Sequence, residues 1–258
     1  MSLPKHKDFP FILLHSVDST NNYAMGLVHA AMSQHGTAVF SREQTSGRGQ
    51  RNREWISEPD SNIILSIILD LAGLLSSSQM FLLSKTVALA SADFFNKYAA
   101  EGAAIKWPND IYWNDRKAGG ILIENVFHGT EWKHAVIGIG ININQTSFGE
   151  LEKKAVSLKQ ITGKTHDPAE LARELHFMIM EYFEQLLKTP FTTISRYKNL
   201  LYKREETIKL KKGNLVFEGI VKDVTDFGDL VIAHPLEERF GVGEVEWLGI
   251  ADAGCDDR

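Results

Sequence analysis

The sequence of 258 residues predicts an α+β protein, in which a mixed β-sheet packs with helices and a small β-barrel follows. The apolar run Asn62–Leu71 is typical of a strand that is buried on both faces. Apolar residues recur at helical spacing in Ser76–Ala100 and Ala169–Leu187, which indicates two long helices. Helical periodicity then disappears, and short strands alternate with turns. We therefore predict a large domain at residues 1–203 and a small β-domain at residues 204–258.

The first elements of the large domain are two strands with one helix between them. We predict a strand at Pro10–Val17 and a helix at Asn21–Met32, because the polar residues 18–20 can cap the N-terminus of a helix. A strand at Thr37–Arg42 then leads into a loop rich in glycine and arginine. The buried strand Asn62–Leu71 follows that loop.

The rest of the large domain begins with its longest helix, Ser76–Ala100, whose first serines can cap it. Pro168 suits the first turn of a later helix, where its missing N–H costs nothing. The remaining predicted strands are Ala104–Trp107, Ile111–Trp113, Gly119–Val126 and Trp132–Asn142, and the remaining helices are Ala169–Leu187 and Thr192–Leu201. In the small domain, turns are predicted at Lys212–Asn214, Asp226–Gly228 and Pro235–Glu238.

Composition excludes several classes of protein. The net charge of −5 and the pI near 6.0 argue against a general nucleic-acid binder, which usually carries an excess of basic residues. Cys255 is the only cysteine, which excludes an internal disulfide and a cysteine-based zinc site, and the histidines show no metal-binding spacing. No apolar run approaches the ~18 residues of a membrane span, and the N-terminus lacks a signal-peptide pattern. We expect a cytoplasmic protein that binds neither DNA nor a membrane.

Residues 41–55, SREQTSGRGQRNREW, are the segment that most strongly indicates function. This segment is rich in arginine, and Gly47 and Gly49 flank Arg48. Glycine lets backbone N–H groups turn toward an anion, and the planar guanidinium of arginine matches a phosphate or a carboxylate. We therefore predict a mobile loop that closes over a small anionic ligand, with residues 46–54 poorly ordered in its absence. A solvent-exposed basic loop without a ligand is the alternative.

Two polar motifs lie where predicted strands end. Ser19-Thr20-Asn21-Asn22 precedes a helix, whose N-terminal N–H groups can contact a ligand, although N-capping alone would also explain these residues. The second motif, Lys106-Trp107-Pro108-Asn109-Asp110, supplies a lysine for a phosphate and a carboxylate for Mg²⁺. An ordinary turn would account for the Pro-Asn-Asp part of this motif, but not for the lysine and tryptophan before it.

Two predicted strands carry glycines in their interiors. Lys117 comes just before Gly119 and Gly120, and glycine inside a strand is costly unless something approaches the backbone closely. A flat apolar ligand over both glycines, with Lys117 at its charged end, explains the pattern, and so does a β-bulge. Small and polar residues of the other strand share one face, as in the floor of a pocket; they are Gly138, Gly140, Asn142 and Asn144. Neither a Walker A motif nor a complete GxGxxG fingerprint is present.

Five motifs, taken in order, resemble those of the biotin protein ligase family. They are STNNYA, QTSGRGQRNREW, KWPNDIYW, DRKAGGILIE and GIGININ, which span about residues 18–144. The small C-terminal domain extends the resemblance to nearly the whole chain. The resemblance implies the biotin–lipoate ligase fold, similar to class II aminoacyl-tRNA synthetases, with an SH3-like barrel at the C-terminus. It also implies that ATP and biotin are substrates, that Mg²⁺ takes part, and that a biotin carboxyl carrier domain is the partner.

The resemblance and the glycine pattern together assign roles to individual residues. Those predicted to bind biotin are Ser19, Thr20, Asn21, Gln44, Arg48, Gly49, Gln50, Lys117, Gly119 and Gly120. Those predicted to bind the nucleotide are Arg48, Arg51, Lys106, Trp107, Asn109 and Asn142. Asp110 and Asn142 are predicted to hold Mg²⁺. The predicted catalytic residues are Arg48, Lys106, Lys117 and Asp110.

The loop departs from the family's usual GRGRRGR run at two positions. Gln50 stands where an arginine is common, and Asn52 replaces a glycine. In relatives that arginine helps to retain the reactive intermediate, so Gln50 bears on how tightly the adenylate is held. Relatives that also repress transcription carry an N-terminal DNA-binding domain, which we do not expect here because the STNN motif begins at Ser19.

The reaction that the resemblance implies has two steps. The biotin carboxylate attacks the α-phosphate of ATP, which gives biotinyl-5'-AMP and pyrophosphate, and the cations Arg48, Lys106 and Lys117 stabilise the developing charge. The amine of a carrier lysine then attacks the mixed anhydride, and Asp110 is the candidate base. The closed loop would shield the anhydride from water.

Two other functions stay open at this point. A lipoate or octanoate ligase shares the architecture and the adenylate chemistry, but an aliphatic acid would leave Ser19, Thr20 and Gln44 without hydrogen-bond partners. A non-catalytic biotin-responsive regulator would carry a DNA-reading domain or lack the loop and the lysines. A homodimer is also consistent with the sequence, because a strand edge such as Trp132–Asn142 could pair with a second copy.

Overall fold

A computed structural model of the protein describes residues 9–248, apart from the side chain of Asn52. Cys255 and the end of the predicted C-terminal domain lie outside the described residues. Two β-sheets and five α-helices make up the described part of the chain. Within residues 9–248, no helix is both long enough and apolar enough to cross a membrane.

The larger sheet is mixed, as predicted. Its strands are β1 (Phe11–Leu14), β2 (Thr37–Ser41), β3 (Asn62–Asp70), β4 (Ala103–Lys106), β5 (Asp110–Trp113), β6 (Arg116–His128) and β7 (Glu131–Asn142). They lie in the order β1-β2-β3-β7-β6-β5-β4. β1 and β2 pair in parallel, and the other neighbours pair antiparallel. Every predicted strand of the large domain is confirmed, and β6 extends beyond its predicted bounds at both ends.

The helices are α1 (Thr20–His29), α2 (Met80–Ala99), α3 (Leu158–Thr162), α4 (Pro168–Lys188) and α5 (Pro190–Asn199). All but α3 were predicted from the sequence. The short helix α3 begins at a capping box, in which the side chains of Ser157 and Gln160 each bond the other's backbone N–H. That signal lies in a polar stretch without the apolar periodicity that indicates a helix.

Helices cover both faces of the larger sheet. α2 and α4 pack on one face, where Ile67 and Leu69 of β3 join their apolar cluster. α1 packs on the other face, where Ala24 contacts the cluster that contains Ile68. Successive residues of a strand point to opposite faces, so β3 is buried on both sides along nearly its whole length, as predicted.

The prediction that Trp132–Asn142 forms an exposed strand edge is wrong. These residues form most of β7, which pairs with β3 on one side and with β6 on the other. The edges of the sheet are β1 and β4. The distal part of β6 also has a free side, because β5 pairs with β6 only over residues 116–120.

A five-stranded antiparallel sheet, the C-terminal sheet, follows the helices. Its strands are β8 (Thr207–Lys212), β9 (Leu215–Val224), β10 (Leu230–His234), β11 (Leu236–Phe240) and β12 (Glu246–Leu248), in the order β11-β10-β9-β8-β12. The predicted turns around Gly213, Gly228 and Pro235 are confirmed, because each separates two of these strands. The change from helices to strands falls between Asn199 and Thr207, which is compatible with the predicted domain boundary.

Side chains fasten the C-terminal sheet to the larger domain. The indole of Trp107 donates a hydrogen bond to the Gly228 carbonyl at 2.8 Å. Lys85 of α2 is almost fully buried and donates to the Val224 carbonyl at 3.4 Å. Buried polar groups that are paired in this way fix the position of one sheet against the other.

Candidate functional site

A cavity of about 670 Å³ lies between the larger sheet, the loop of residues 44–55 and the C-terminal sheet. It gathers nearly all of the predicted site residues, namely Ser19, Thr20, Asn21, Gln44, Arg48, Gly49, Gln50, Arg51, Lys106, Trp107, Asn109, Asp110, Lys117 and Gly120. Gly119 and Asn142 are the two predicted residues that do not line it. Motifs from distant parts of the sequence therefore meet at one place.

The floor of the cavity is the backbone of three adjacent strands. Gly138 of β7 lies opposite Ser66 of β3, and Gly140 of β7 lies opposite Gly120 of β6. A Cβ atom on Gly138 would lie 2.4 Å from Asn21 Oδ1, which is closer than any normal contact. The missing side chains make the room, as predicted for a strand that lines a pocket floor.

Hydroxyl and amide groups form a connected cluster at the N-terminus of α1. Gln44 Oε1 accepts hydrogen bonds from the Thr20 N–H at 2.7 Å and from the Thr20 hydroxyl at 3.1 Å. The buried Ser66 hydroxyl lies 2.8 Å from Thr20 Oγ1 and 2.6 Å from Asn21 Oδ1. Ser66 was not predicted as a site residue, although a lone serine within the apolar run of β3 is a signal that could have identified it.

Ser19 precedes this cluster as the N-cap residue of α1. It is buried and lines the cavity, yet its side chain makes no capping hydrogen bond. Capping therefore does not explain why a hydroxyl stands at this position. Gln44 bonds the cluster through its oxygen in the described contacts, which leaves its amide N–H groups as donors.

The glycine-arginine loop folds back on itself over the cavity. The Gly49 N–H donates to the Arg53 carbonyl at 2.7 Å, and the Trp55 N–H donates to the Gly47 carbonyl at 3.0 Å. These contacts give the loop a defined conformation over the cavity. The ordering of residues 46–54 on ligand binding stays a prediction.

An ion pair ties this loop to β6. Arg48 Nη2 lies 2.8 Å from Glu124 Oε1, and Arg48 Nη1 donates to Asn22 Oδ1 at 2.7 Å. Glu124 Oε2 also accepts from the Asn21 amide at 2.9 Å. Glu124, the acid that ends the GGILIE motif, thus connects the loop to the polar cluster, and it was not among the predicted site residues.

Trp55 lies directly over the floor. Its ring is the nearest neighbour of a Cβ placed on Gly140, at 2.4 Å, and of one placed on Gly120, at 3.3 Å. The Trp55 Nε1 is buried and has no hydrogen-bond partner within residues 9–248. The indole therefore fills the space above Gly120 where the sequence predicts a flat ligand.

Lys117 and Asp110 form an ion pair beside Gly120. Lys117 Nζ lies 2.7 Å from Asp110 Oδ1, and both residues line the cavity. The carboxylate of Asp110 is engaged by a cation, so it can act as a base only if this pair opens. Lys117 Nζ also lies 5.8 Å from the ring centroid of Trp55, which brings the loop and the ion pair together.

Of the two predicted magnesium ligands, Asp110 lines the cavity and Asn142 does not. Asn142 is buried and donates to the carbonyls of Lys117 at 3.3 Å and Val156 at 3.1 Å, so its amide stabilises the backbone. In the part of the chain that the structure describes, no three acidic, histidine or cysteine side chains are grouped to hold a metal. Mg²⁺ that is bound together with phosphates needs only one or two protein carboxylates, so Asp110 can still contact such an ion from the cavity.

Three aromatic rings surround the ammonium of Lys106, at the end of β4. Lys106 Nζ donates to the Tyr112 hydroxyl at 3.1 Å and lies 4.6 Å from the centroid of that ring. The centroids of Tyr202 and Trp247 lie 5.9 and 5.3 Å from the same nitrogen. We call these three rings the aromatic cage. None of these three rings was predicted as a site residue.

The cage and the neighbouring charges act on the protonation of Lys106. Burial lowers the pKa of Lys106, because desolvation disfavours the charged form. Asp110 opposes this shift, whereas the cations Lys117, Lys154 and Arg53 reinforce it. Lys106 is thus a cation in a partly dry and cation-rich environment, which is suited to meeting an anion.

The C-terminal sheet supplies the wall of the cavity that the sequence did not predict. Residues 242–247 line the cavity there, and Gly243 has a positive φ of 87°. A Cβ atom on Gly243 would lie 2.0 Å from Arg51 Nη1, so the Arg51 guanidinium packs directly on this turn. The loop therefore reaches the C-terminal sheet and closes the cavity from above.

Comparison with known proteins shows which family the chain resembles in sequence. The model of the biotin/lipoate A/B protein ligase family matches residues 13–142. The bifunctional ligase/repressor BirA of Salmonella typhimurium is 31% identical over 240 residues, which cover 90% of this chain and 70% of that protein. The biotin–[acetyl-CoA-carboxylase] ligase of Paracoccus denitrificans is 33% identical over 232 residues, with coverage of 86% and 94%.

A solved structure has a similar fold. The biotin protein ligase from Aquifex aeolicus, in complex with biotin and ATP, superposes with a TM-score of 0.76. The alignment covers 92% of this chain and 98% of that one, at 24% sequence identity. At this identity the similarity concerns the fold alone. It includes the C-terminal sheet, because the alignment covers nearly the whole of both chains.

Proposed function

The chain belongs to the biotin/lipoate A/B protein ligase family, and from this premise we propose that it is a biotin protein ligase. One observation carries the proposal. A single cavity joins a cluster of hydroxyl and amide groups, centred on Thr20 and Asn21, to the cations Lys106 and Lys117. The first cluster suits a polar ring such as the ureido group of biotin, and the second suits a carboxylate and phosphates.

In the first step, a carboxylate oxygen of biotin attacks the α-phosphorus of ATP. The bond to the β-phosphate breaks, and biotinyl-5'-AMP and pyrophosphate form. Lys117 and Lys106 stand where they can stabilise the charge that develops on the phosphate oxygens, and no side-chain nucleophile is required. Lys117 must exchange its partner Asp110 for the substrate when it takes this role.

In the second step, the ε-amine of a lysine on a biotin carboxyl carrier domain attacks the carbonyl carbon of the anhydride. An amide bond forms, AMP leaves, and the amine loses a proton. Asp110 is the acceptor we propose for that proton, since it lines the cavity and its partner Lys117 is drawn toward the phosphate. The loop over the cavity excludes water from the anhydride while the carrier docks.

Magnesium enters this reaction as part of the substrate. ATP carries Mg²⁺ on its phosphates, and such ions commonly keep several waters and use one or two protein carboxylates. Asp110 is the one predicted metal ligand that lines the cavity.

The alternative substrate is lipoate or octanoate. An aliphatic acid would leave Ser19 and the amide donors of Gln44 facing the ligand without partners, at a cost of about 1–3 kcal/mol for each buried group. These groups favour a ligand with its own donors and acceptors over a purely aliphatic one.

We further propose where partners meet the protein. The carrier domain is the macromolecular substrate, and ATP as a substrate is consistent with a cytoplasmic enzyme. A second copy, if one binds through strand pairing, would use β1, β4 or the free side of distal β6 rather than β7. Analytical ultracentrifugation with and without biotin and ATP measures that association.

The test of the function is ATP–pyrophosphate exchange with Mg·ATP and either biotin or lipoate. Biotin-dependent exchange, together with a trappable biotinyl-5'-AMP, is the expected result. Transfer to an isolated carrier domain, followed by mass spectrometry, tests the second step. Exchange that depends on lipoate alone would move the protein to the neighbouring activity, and no exchange with either acid would favour a non-catalytic biotin-responsive regulator.

A further inference from the structure

The aromatic cage around Lys106 combines three separate parts of the chain. Tyr112 belongs to β5, Tyr202 follows α5, and Trp247 belongs to β12 of the C-terminal sheet. The rings contact one another as well as the lysine, with centroids 5.0 Å apart for Tyr112 and Tyr202, and 6.0 Å apart for Tyr202 and Trp247. One lysine of the large domain is therefore held in part by the other sheet.

Two residues of the cage are themselves anchored. Tyr202 donates its hydroxyl to Asp115 at 2.6 Å, and its N–H donates to the Ile105 carbonyl, next to Lys106, at 2.9 Å. Trp247 is paired in register with Leu210 of β8. Anchored rings leave the ammonium few alternative positions, which is how a flexible lysine side chain becomes pre-organised.

The contacts of the Trp247 indole indicate the role of this residue. Its Nε1 is buried and has no hydrogen-bond partner in the described range 9–248, so a hydrogen bond does not explain the placement. The ring instead faces the Lys106 ammonium, and a cation over an indole face is the most favourable form of this interaction. The ammonium has three donors, and the described contacts use one of them, on Tyr112.

We infer that Trp247 is a positioning residue for adenylation: it holds the Lys106 ammonium toward the nucleotide phosphates, so the C-terminal sheet takes part in the first step. This inference rests on the proposed function, which places the nucleotide in this cavity. It assigns to the C-terminal sheet a role in ATP binding through one named contact. Trp247 acts through Lys106 and does not itself need to touch the phosphates.

The competing explanation is that Trp247 merely packs the two sheets together. The two explanations differ in which kinetic constant responds. A packing role would affect stability and all substrates alike, whereas a positioning role affects the KM for ATP and leaves the KM for biotin nearly unchanged. They also differ in whether Trp247→Phe retains ATP binding where Trp247→Ala loses it. Phenylalanine keeps an aromatic face toward the lysine, and alanine does not.

The experiment compares Trp247→Ala and Trp247→Phe with the wild type in biotin-dependent pyrophosphate exchange. For Trp247→Ala we expect the KM for ATP to rise about tenfold and the KM for biotin to change less than about twofold. For Trp247→Phe we expect the KM for ATP to stay within about threefold of the wild type. The matched control is Phe240→Leu, which alters the core of the same sheet at a buried residue outside the cavity.

Two results would overturn the inference. One is an unchanged KM for ATP in Trp247→Ala, and the other is an equal rise in Phe240→Leu. Calorimetric titration with Mg·ATP separates this inference from the proposed function, because it needs no biotin chemistry. If the wild type binds ATP but shows no exchange, the function fails, while weaker ATP binding by Trp247→Ala alone would still support the cage.

Discussion

The floor of the cavity is made from three adjacent strands of one sheet, whereas the wall beside Lys106 is made from a turn and a strand of another sheet. On the floor, Gly120, Gly138 and Gly140 lack side chains, so Trp55 and Asn21 pack directly on the backbone. At the wall, Trp247 instead fills space with a large ring. The floor is held by continuous backbone pairing, and the wall is held by side-chain contacts such as that of Trp107.

This difference predicts how the floor and the wall each tolerate a substitution. Backbone pairing in the middle of a sheet cannot shift locally, so an added atom on the floor must displace a ligand or a neighbouring side chain. A wall fastened by a few side chains can move by small amounts without unfolding. We therefore expect defects on the floor to be severe and defects at the wall to be graded, with the clearest effects on ATP.

The largest effect is expected for Lys117→Ala, on the β6 side of the floor. This change removes the cation beside Gly120, and loss of one electrostatic stabiliser costs about 10²–10³-fold in rate. It also leaves Asp110 without its partner. Pyrophosphate exchange under saturating ATP and biotin measures the loss. The exposed Lys153→Ala is the matched control and should retain full activity.

The next effect is expected for Gly138→Ala, which tests the floor by a single methyl group. The new Cβ would lie 2.4 Å from Asn21 Oδ1, so Asn21 must move and its hydrogen bond from Ser66 is strained. Overpacking of this kind costs about 1–3 kcal/mol of stability. Misplacing the polar cluster should also lower kcat/KM for biotin on the order of tenfold or more.

Gly26→Ala is the control for this change. A Cβ on Gly26 would meet no heavy atom within 4 Å, and the residue lies inside α1, so alanine should be neutral or stabilise by about 0.5–1 kcal/mol. Thermal unfolding and biotin kinetics measure both variants. Equal kinetics for Gly138→Ala and the wild type would show that the floor yields more easily than we argue.

The floor and the polar cluster could be predicted because their signals are local in the sequence. Lys117 and Gly120 stand three residues apart in one strand, and Ser19 to Asn21 are consecutive. Residues of one short motif stay close together in any fold, so the chemistry could be assigned before the fold was known. The helices and strands of the large domain were likewise predicted from their apolar periodicity.

The wall could not be predicted for the opposite reason. Trp247 and Gly243 carry no motif, and they reach Lys106 and Arg51 only because the two sheets pack together. Contacts over such separations depend on tertiary structure, which propensity does not encode. Asn142 is the converse case, since its motif suggested a ligand contact, but it does not line the cavity and its amide N–H groups bond the backbone.

A smaller effect is expected for Trp107→Phe, which weakens the fastening of the wall. The change removes the donor to the Gly228 carbonyl and leaves that buried acceptor unpaired, at a cost of about 1–3 kcal/mol. If the wall positions Lys106, this change should displace the wall slightly, and the KM for ATP should rise several-fold as a result. Melting temperature and pyrophosphate exchange measure the two consequences.

Trp113→Phe is the matched control, because the Trp113 indole also donates to a carbonyl, that of Glu101, at 2.8 Å. Both residues of that hydrogen bond lie in the large domain, so its loss should lower stability without changing the KM for ATP. A parallel rise in KM for both variants would indicate general loosening. That result would remove the distinction between wall and floor on which the prediction depends.

The smallest effect concerns the pH dependence of kcat/KM for ATP, which reports ionisations of the free enzyme. We expect a shift in the alkaline limb of this profile, where activity falls as the pH rises. Lys106 is needed as a cation, and burial lowers its pKa, so activity should fall as pH rises at values below the ordinary lysine range. Tyr112 and Tyr202 do not confuse this limb, because burial raises the pKa of each tyrosine.

Two variants assign the limb to Lys106 and to its cage. Lys106→Arg keeps a charge that does not titrate in this range, so the limb should vanish even if the rate falls. Trp247→Ala admits water to the cage, which raises the pKa of Lys106, and it also removes the cation–π contact, which lowers that pKa, so the direction in which the limb moves shows which effect is larger. A limb that persists unchanged in Lys106→Arg belongs to another group, and a limb that moves to higher pH in Trp247→Ala identifies burial by the cage as the larger effect.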